Sequence, residues 1–365
     1  MTTATATCVA EASLRVVTDL QLANGAYPAS PSFSAYRGYC WFRDGSFIAD
    51  GMSAAGAPES ATRFFGWCAD TIERHAGRMT AAVAAARRGA PLPDEQMLPA
   101  RFAFDGGLGT DSWWDFQLDG YGTWLWALAT HLARHDLPVD PWRGPVNRTS
   151  EYLVTSWGRT CYDWWEEHSD QLHTSTLGCI GAGLEAVAAA GLLEDSLTGP
   201  AKQAAEQIRA LVAERGTVDG HLTKWLGRPD VDGSLDALVA PLGWLDPADP
   251  VAARTIDAID ATLADDVGVH RFADDVFYGG GRWPLLTAFH GLAKLAVGDE
   301  DGARVALDWV VSTATGDGLL PEQVSDRLLA PDALATWVGR WGPVAVPLLW
   351  SHGEYLRLWD ALGRP

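Results

Sequence analysis

Residues 162–192 read YDWWEEHSDQLHTSTLGCIGAGLEAVAAAGL, and the second half of this stretch decides the fold class. Leu177, Ile180 and Leu184 stand at i, i+3 and i+7, which places them on one face of a helix. The same spacing recurs along the chain, whereas the period-two alternation of strands is scarce, so any strands are expected as short hairpins in loops. The sequence therefore predicts an all-α protein. About a dozen segments carry the helical pattern: 9–22, 44–56, 58–78, 118–135, 140–157, 173–192, 195–215, 233–241, 249–263, 283–297, 300–313 and 345–361.

The spacing of these segments predicts a single domain over residues 1–365. Helices in this number can form a two-layer ring of inner and outer helices, at roughly sixty residues for each pair with its loops. No Gly/Ser-rich linker or block of charge divides the chain. Loops as long as those seen here are usually functional, so we expect them to gather at one mouth of the ring and to carry the site. The long loops are 23–43, 90–117, 158–172, 216–232, 264–282 and 314–342.

The bulk composition restricts the classes of partner. The formal net charge is −20 at pH 7, and such a surface repels phosphate backbones, so we expect no nucleic-acid partner. The five cysteines include no CxxC pair, which argues against a disulfide framework or a zinc site, and no metal or other cofactor is expected. We find neither a signal peptide nor a segment that could span a membrane, which predicts a cytoplasmic protein.

The chain has 18 tryptophans, and average composition would supply roughly a quarter of that number. Many of them stand beside Gly, Pro, Asp and Arg in the long loops. An indole ring packs on the C–H face of a sugar, while its N–H hydrogen-bonds a hydroxyl group. The composition therefore indicates a site for a small oligosaccharide.

The first half of the quoted stretch places Glu166 and Glu167 directly after two tryptophans. Acidic residues often do no more than begin a helix. Here, however, a carboxyl packed against indole loses hydration, which favours the protonated form that a general acid needs. A second carboxylate, Glu322, stands in the loop GDGLLPEQVSD (316–326). Two carboxylates with aromatic platforms meet the requirement of glycoside hydrolysis, and a gap of roughly 6.5–9.5 Å between them would mean inversion, against roughly 5–5.5 Å for retention.

Two further loop motifs combine aromatic and polar residues. In GYCWFRDGSF (38–47), Arg43 and Asp44 offer donors and acceptors to a sugar edge, although Asp44 is equally suited to cap a helix. In SWWDFQLDGYG (112–122), Trp113 supplies a flat face and Gln117 and Asp119 supply polar groups, with a helix cap as the alternative for Asp119.

At these motifs the sequence resembles the catalytic domain of glycoside hydrolase family 15, the glucoamylase family. The resemblance runs from about residue 36 to residue 355, with the motifs in the family's order. It implies an (α/α)6 barrel and an exo-acting hydrolase that releases β-glucose from non-reducing ends with inversion. The motifs are WFRD (41–44), WWDFQLDG (113–120), WWEEH (164–168), RFADD (271–275) and LPEQ (320–323).

The resemblance also implies roles for individual residues. Glu166 would be the general acid and Glu322 the general base. RFADD lacks the family's proline, which leaves the role of Asp275 open. The implied substrate-binding residues are Arg43, Asp44, Trp113, Gln117, Asp119, Trp165, Glu167, Arg271 and Gln323.

The resemblance is closest to compact members, without an N-terminal β-sandwich or a starch-binding domain, that act on isomaltose and isomalto-oligosaccharides through their α-1,6 links. Short α-1,4 sugars and trehalose are the alternatives within the family. Outside it, a terpene cyclase-like barrel would use Asp274–Asp275 for a metal, and a non-catalytic sugar-binding protein would not need both glutamates. A sugar epimerase would use paired histidines such as His173 and His290.

Overall fold

The computed structural model describes residues 3–111, 113 and 116–365, and helices dominate them. This confirms the all-α prediction. The helices are α1 (Thr3–Leu20), α2 (Phe42–Ala54), α3 (Pro58–Arg74), α4 (Ala76–Arg87), α5 (Asp119–Arg134), α6 (Arg143–Ser156), α7 (Thr174–Ala189), α8 (Asp195–Arg215), α9 (Asp236–Val239), α10 (Pro250–Thr262), α11 (Pro284–Ala296), α12 (Glu300–Ser312), α13 (Leu334–Trp341) and α14 (Leu349–Ala361).

Six helices form a closed inner ring. Helices α2, α5, α7, α9, α11 and α14 each pack on the next, and α14 returns to α2. Helices α1, α3, α6, α8, α10 and α12 pack around that ring, alternating with its members along the chain. The chain is therefore an (α/α)6 barrel, as the resemblance implied. Helices α4 and α13 are additions to it that the sequence did not predict.

The inner helices approach one another closely because glycines face each other between them. A Cβ atom on Gly51 of α2 would lie 2.1 Å from the carbonyl oxygen of Gly353 on α14. Likewise, a Cβ on Gly183 of α7 would lie 2.3 Å from the carbonyl oxygen of Gly122 on α5. Every residue of α2 is buried, as expected for a helix enclosed on all sides. Backbone therefore packs on backbone at two places in the ring.

The strands are short and belong to the loops. They form three antiparallel pairs among the described residues: β1 (Tyr39–Trp41) with β2 (Arg101–Ala103), β3 (Thr217–Val218) with β4 (His221–Leu222), and β5 (Ala264–Asp265) with β6 (Gly268–Val269). The last two pairs are local hairpins, as expected. The first pair joins two different long loops. In the part of the chain that the structure describes, no helix is long and apolar enough to cross a membrane.

Candidate active site

A cavity of about 290 Å³ lies where the long loops meet. Five of the six long loops contribute to its wall, so the expectation that they gather at one mouth is confirmed for these five. Among the described residues, eight tryptophans line the cavity, together with four carboxylates and two arginines. These are Trp41, Trp113, Trp164, Trp165, Trp283, Trp337, Trp341, Trp350, Asp44, Glu166, Glu167, Glu322, Arg43 and Arg271.

Glu322 is the more deeply buried of the two predicted catalytic carboxylates, at 1% exposure. Its Oε1 accepts a hydrogen bond of 2.6 Å from the hydroxyl group of Tyr36. Its Oε2 is buried and has no hydrogen-bond partner among the described residues. Burial raises the pKa of Glu322 to about 7, even though the Tyr36 hydroxyl and Arg271 both lower it. One oxygen is thus fixed by Tyr36, and the other is a buried acceptor without a described partner, on a residue that lines the cavity.

Glu166 lies on the same cavity. Its Oε1 accepts a hydrogen bond of 2.8 Å from the indole Nε1 of Trp41, and Nη2 of Arg43 lies 3.7 Å from the same oxygen. Trp41 is the last residue of β1 and Arg43 is the second residue of α2, so the start of α2 orients this carboxyl. One oxygen of Glu166 is therefore held by a hydrogen bond from Trp41 and by the charge of Arg43, which stands two positions further along the chain.

The backbone of the loop that carries Glu166 is unusual. Glu166 has φ = 58° and His168 has φ = 53°, in the left-handed region that side chains other than glycine rarely adopt. Each such residue costs on the order of 1–3 kcal/mol and persists only where the surroundings fix it. Asp163 does so here, because its Oδ1 accepts from the backbone N–H groups of Trp165 and Glu167, both at 2.9 Å.

Arg43 is the centre of a buried group on one side of the cavity. Its Nη1 donates to Oε1 of Gln117 at 2.6 Å and lies 3.3 Å from Oδ1 of Asp119, while Nη2 lies 3.3 Å from Oδ1 of Asp44. Burial raises the pKa of Asp44 to about 7 and that of Asp119 to about 6, against the lowering effect of Arg43. Arg43 and Asp44 line the cavity, whereas Gln117 and Asp119 lie behind Arg43 and hold it.

Arg271 occupies a second wall. Its Nε donates to Oδ2 of Asp275 at 2.8 Å, its Nη2 bonds the other oxygen of Asp275, and Nη2 also donates to Glu167 at 3.2 Å. This bidentate pair gives the role that the sequence left open, since Asp275 fixes the guanidinium plane. Burial raises the pKa of Glu167 above its usual value, although Arg271 opposes the rise.

The remaining predicted residues lie in different places. Trp113 and Trp165 line the cavity, and Trp113 stacks on Trp341 with ring centroids 5.6 Å apart. Gln323 does not line it; its Oε1 accepts from the N–H of Gly281 and its Nε2 donates to the carbonyl of Phe277. The sequence predicted that Gln323 binds substrate, but in the structure its side-chain amide bonds the backbone of the loop 264–282. Trp114 and Asp115, which belong to a predicted motif, lie outside the described residues.

Sequence reasoning also missed Tyr36, although it touches Glu322 directly. A single tyrosine in a long loop has no spacing that distinguishes it. Trp350 lines the cavity as well, and it stands in none of the loop motifs that the sequence indicated.

The residues that supported other functions have structural roles. Asp274 pairs with Arg228, and no group of three or more His, Cys, Asp or Glu among the described residues could hold a metal ion. His290 lies between Asp236 and Asp260, at 2.8 Å from each. His173 contacts backbone carbonyl groups through Nε2. Neither histidine lines the cavity.

Comparison with known proteins identifies relatives with the same architecture. The sequence model described as "Glycosyl hydrolases family 15" matches residues 11–320. An isomaltose glucohydrolase of Kribbella flavida is 52% identical over 356 residues, covering 97% of this chain and 92% of that protein.

Solved structures agree with this result. A structure described as a wild-type glycosidase is 51% identical, with a TM-score of 0.97, and the match covers 99% of this chain and 98% of the other. A bacterial glucoamylase complexed with acarbose has a TM-score of 0.78 at 19% identity, with 98% of this chain and 55% of that chain covered. The second likeness shows the fold alone.

Proposed function

The chain belongs to family 15 of the glycosyl hydrolases, and from this premise we propose that it hydrolyses the α-1,6 link of isomaltose and short isomalto-oligosaccharides. The enzyme is a glycoside hydrolase that acts on oligosaccharides from the non-reducing end and inverts the anomeric carbon. The observation that carries the proposal is the pair Glu166 and Glu322 on one tryptophan-lined cavity, where Glu322 presents an unpartnered oxygen.

In the proposed reaction Glu166 is the general acid. Its Oε1 accepts from Trp41, so Oε2 carries the proton that passes to the glycosidic oxygen as the bond from C1 to that oxygen breaks. Glu322 is the general base, because Oε2 accepts a proton from a water molecule while Tyr36 holds Oε1. The water oxygen bonds to C1 on the face opposite the leaving group, and the first product is β-glucose.

The remaining residues of the cavity hold the sugar. Arg43 and Asp44 present donors and acceptors at one wall, and Arg271, fixed by Asp275, presents donors at another. A neutral ligand rich in hydroxyl groups suits this mixture better than a charged one. The preference for the α-1,6 link is supported by the name of the relative from Kribbella flavida.

We also propose that the enzyme is cytoplasmic, that it is a single domain and that it has no nucleic-acid partner. The net charge of −20 supports the lack of a nucleic-acid partner, and a cluster of buried apolar side chains that extends from Ala6 to Leu362 supports the single domain. The free cysteines suit a reducing compartment. Such an enzyme would act on imported short sugars.

The test uses purified protein and a panel of maltose, isomaltose, kojibiose, nigerose and trehalose, with glucose release as the readout. We expect the highest kcat/KM on isomaltose, and proton NMR should show β-glucose as the first anomer. A higher kcat/KM on maltose or trehalose would refute the linkage, and α-glucose as the first product would refute the inverting mechanism.

A further inference from the structure

The chain contains three lysines, and one of them is buried beside the active site without lining the cavity. The side chain of Lys224 is 4% exposed, and its Nζ lies 3.1 Å from Oδ2 of Asp163 and bonds Oδ2 of Asp232. The face of the Phe272 ring lies 3.9 Å from the same nitrogen. A buried ammonium group persists only when it is paired in this way, so the two carboxylates and Lys224 form one charged unit.

Asp163, at one end of this unit, holds the loop 158–172 that carries Glu166, which is called the acid loop below. Asp163 binds the backbone N–H groups of Trp165 and Glu167 through Oδ1, and these residues flank Glu166. The N–H of Asp163 also donates to the carbonyl of Glu167 at 2.9 Å. Burial alone would raise the pKa of Asp163, but Lys224 and the other donors bring it well below its usual range. Lys224 thus keeps Asp163 ionised, and the Asp163 carboxylate is the acceptor that holds the loop.

The other end connects to the barrel. Asp232 accepts from the indole Nε1 of Trp165 at 3.0 Å, from the N–H of Ser234 at 2.9 Å, and from the hydroxyl of Ser234 at 2.6 Å. Ser234 belongs to the 3-10 turn Gly233–Leu235, which leads directly into the inner helix α9. The acid loop is therefore held relative to the inner ring in two ways: by the indole of Trp165, which bonds Asp232 directly, and by Lys224, which joins Asp163 to Asp232.

We propose that Lys224 is a positioning residue, which places the carboxyl of Glu166 over the glycosidic oxygen by bridging Asp163 and Asp232. It acts through the acid loop and not on the sugar. The inference rests on the proposed role of Glu166 as the general acid.

The experiment compares two substrates that differ in their need for an acid. Isomaltose requires protonation of its leaving oxygen, whereas α-glucosyl fluoride releases fluoride without a proton and still requires Glu322 and water. For Lys224→Met we expect kcat on isomaltose to fall about 100-fold, the scale of a misplaced catalytic group, with little change on α-glucosyl fluoride. Equal losses on both substrates would overturn the proposal, because a general loss of structure affects both alike. Wild-type rates on both would overturn it as well.

Two controls separate the outcomes. Lys294→Met removes the ammonium group of another lysine, 2.8 Å from Oδ2 of Asp260 and away from the cavity, and should leave both rates unchanged. Glu166→Gln should itself lose isomaltose hydrolysis and keep α-glucosyl fluoride hydrolysis. If it does not, the assignment of the general acid fails, whatever Lys224 does. Should the methionine variant not fold, Lys224→Gln keeps a polar group without the charge and is judged by the same ratio of rates.

Discussion

The hydrogen bond from Tyr36 to Glu322 makes the pH dependence of the enzyme a direct test of the general base. Glu322 must be ionised to accept a proton, and its pKa in the free protein is about 7. The ionisation of Glu322 should therefore give the pH profile of kcat/KM an acidic limb, which falls about tenfold per unit as the pH decreases below about 7. The direction follows from the carboxylate being the active form. Loss of the proton of Glu166 sets the separate alkaline limb.

Tyr36→Phe removes the one described donor to this carboxylate while keeping the aromatic ring. A hydrogen bond to a charged group contributes about 1.5–3 kcal/mol, and one pKa unit corresponds to about 1.4 kcal/mol. Loss of the bond destabilises the ionised form, so the acidic limb of the profile should move upward by about one to two units.

The assay is kcat/KM on isomaltose from acidic to alkaline pH for both proteins. Tyr39→Phe is the matched control, because Tyr39 lies three residues away and its ring stacks on Arg101. Its profile should equal that of the wild type. An acidic limb that stays in place or moves to lower pH in Tyr36→Phe would refute the assignment of Glu322 as the titrating base.

Three further predictions concern catalysis and stability. Glu166→Gln and Glu322→Gln should each lower kcat on isomaltose by at least about 10²–10⁴-fold, and near wild-type turnover in either would remove that residue from the mechanism. The pKa of His290 is raised to about 9 by its two aspartates, against the effect of burial. Protonated His290 therefore stabilises the fold by at most about 3 kcal/mol, and this contribution is complete below pH 6.5 and is lost as the pH rises through 9. The difference in thermal stability between wild type and His290→Gln should shrink as the pH rises through 9, and a difference that stays constant would contradict this. Gly51→Ala should lower the free energy of unfolding in urea by about 1–3 kcal/mol, because the added Cβ meets the carbonyl of Gly353. Gly66→Ala, whose Cβ meets nothing within 4 Å, should raise it. Equal effects of the two substitutions would contradict the packing argument.

The sequence predicted most of the barrel, because its core helices carry regular apolar spacing. The segment 195–215 coincides with α8, and 118–135 differs from α5 by one residue at each end. Helix α4 was not predicted because its sequence, AGRMTAAVAAAR, has alanine on every side and hence no distinct face. The ring closes through contacts between glycines that are far apart in the sequence, and local apolar periodicity does not predict such contacts.

The candidate site was predictable where several functional residues share a short motif. Arg43 and Asp44, or Trp165, Glu166 and Glu167, are close in sequence and remain close on the cavity wall. Isolated residues gave no such signal. Tyr36 bonds a carboxylate 286 positions away, and the buried pairing of Lys224 arises only after two loops fold together.

The contacts between glycines in the inner ring should make the amides of these helices exchange hydrogen more slowly than the amides of the loops. Glycines let the backbone of α2 contact that of α14, and the backbone of α5 contact that of α7, inside a fully packed ring, so these amides should exchange hydrogen with solvent only when the whole protein opens. Loop amides other than those bonded to Asp163 should exchange faster, because they can open without separating the helices of the ring. Entry and release of sugar would then be accommodated by the rim alone, over a floor that does not change shape.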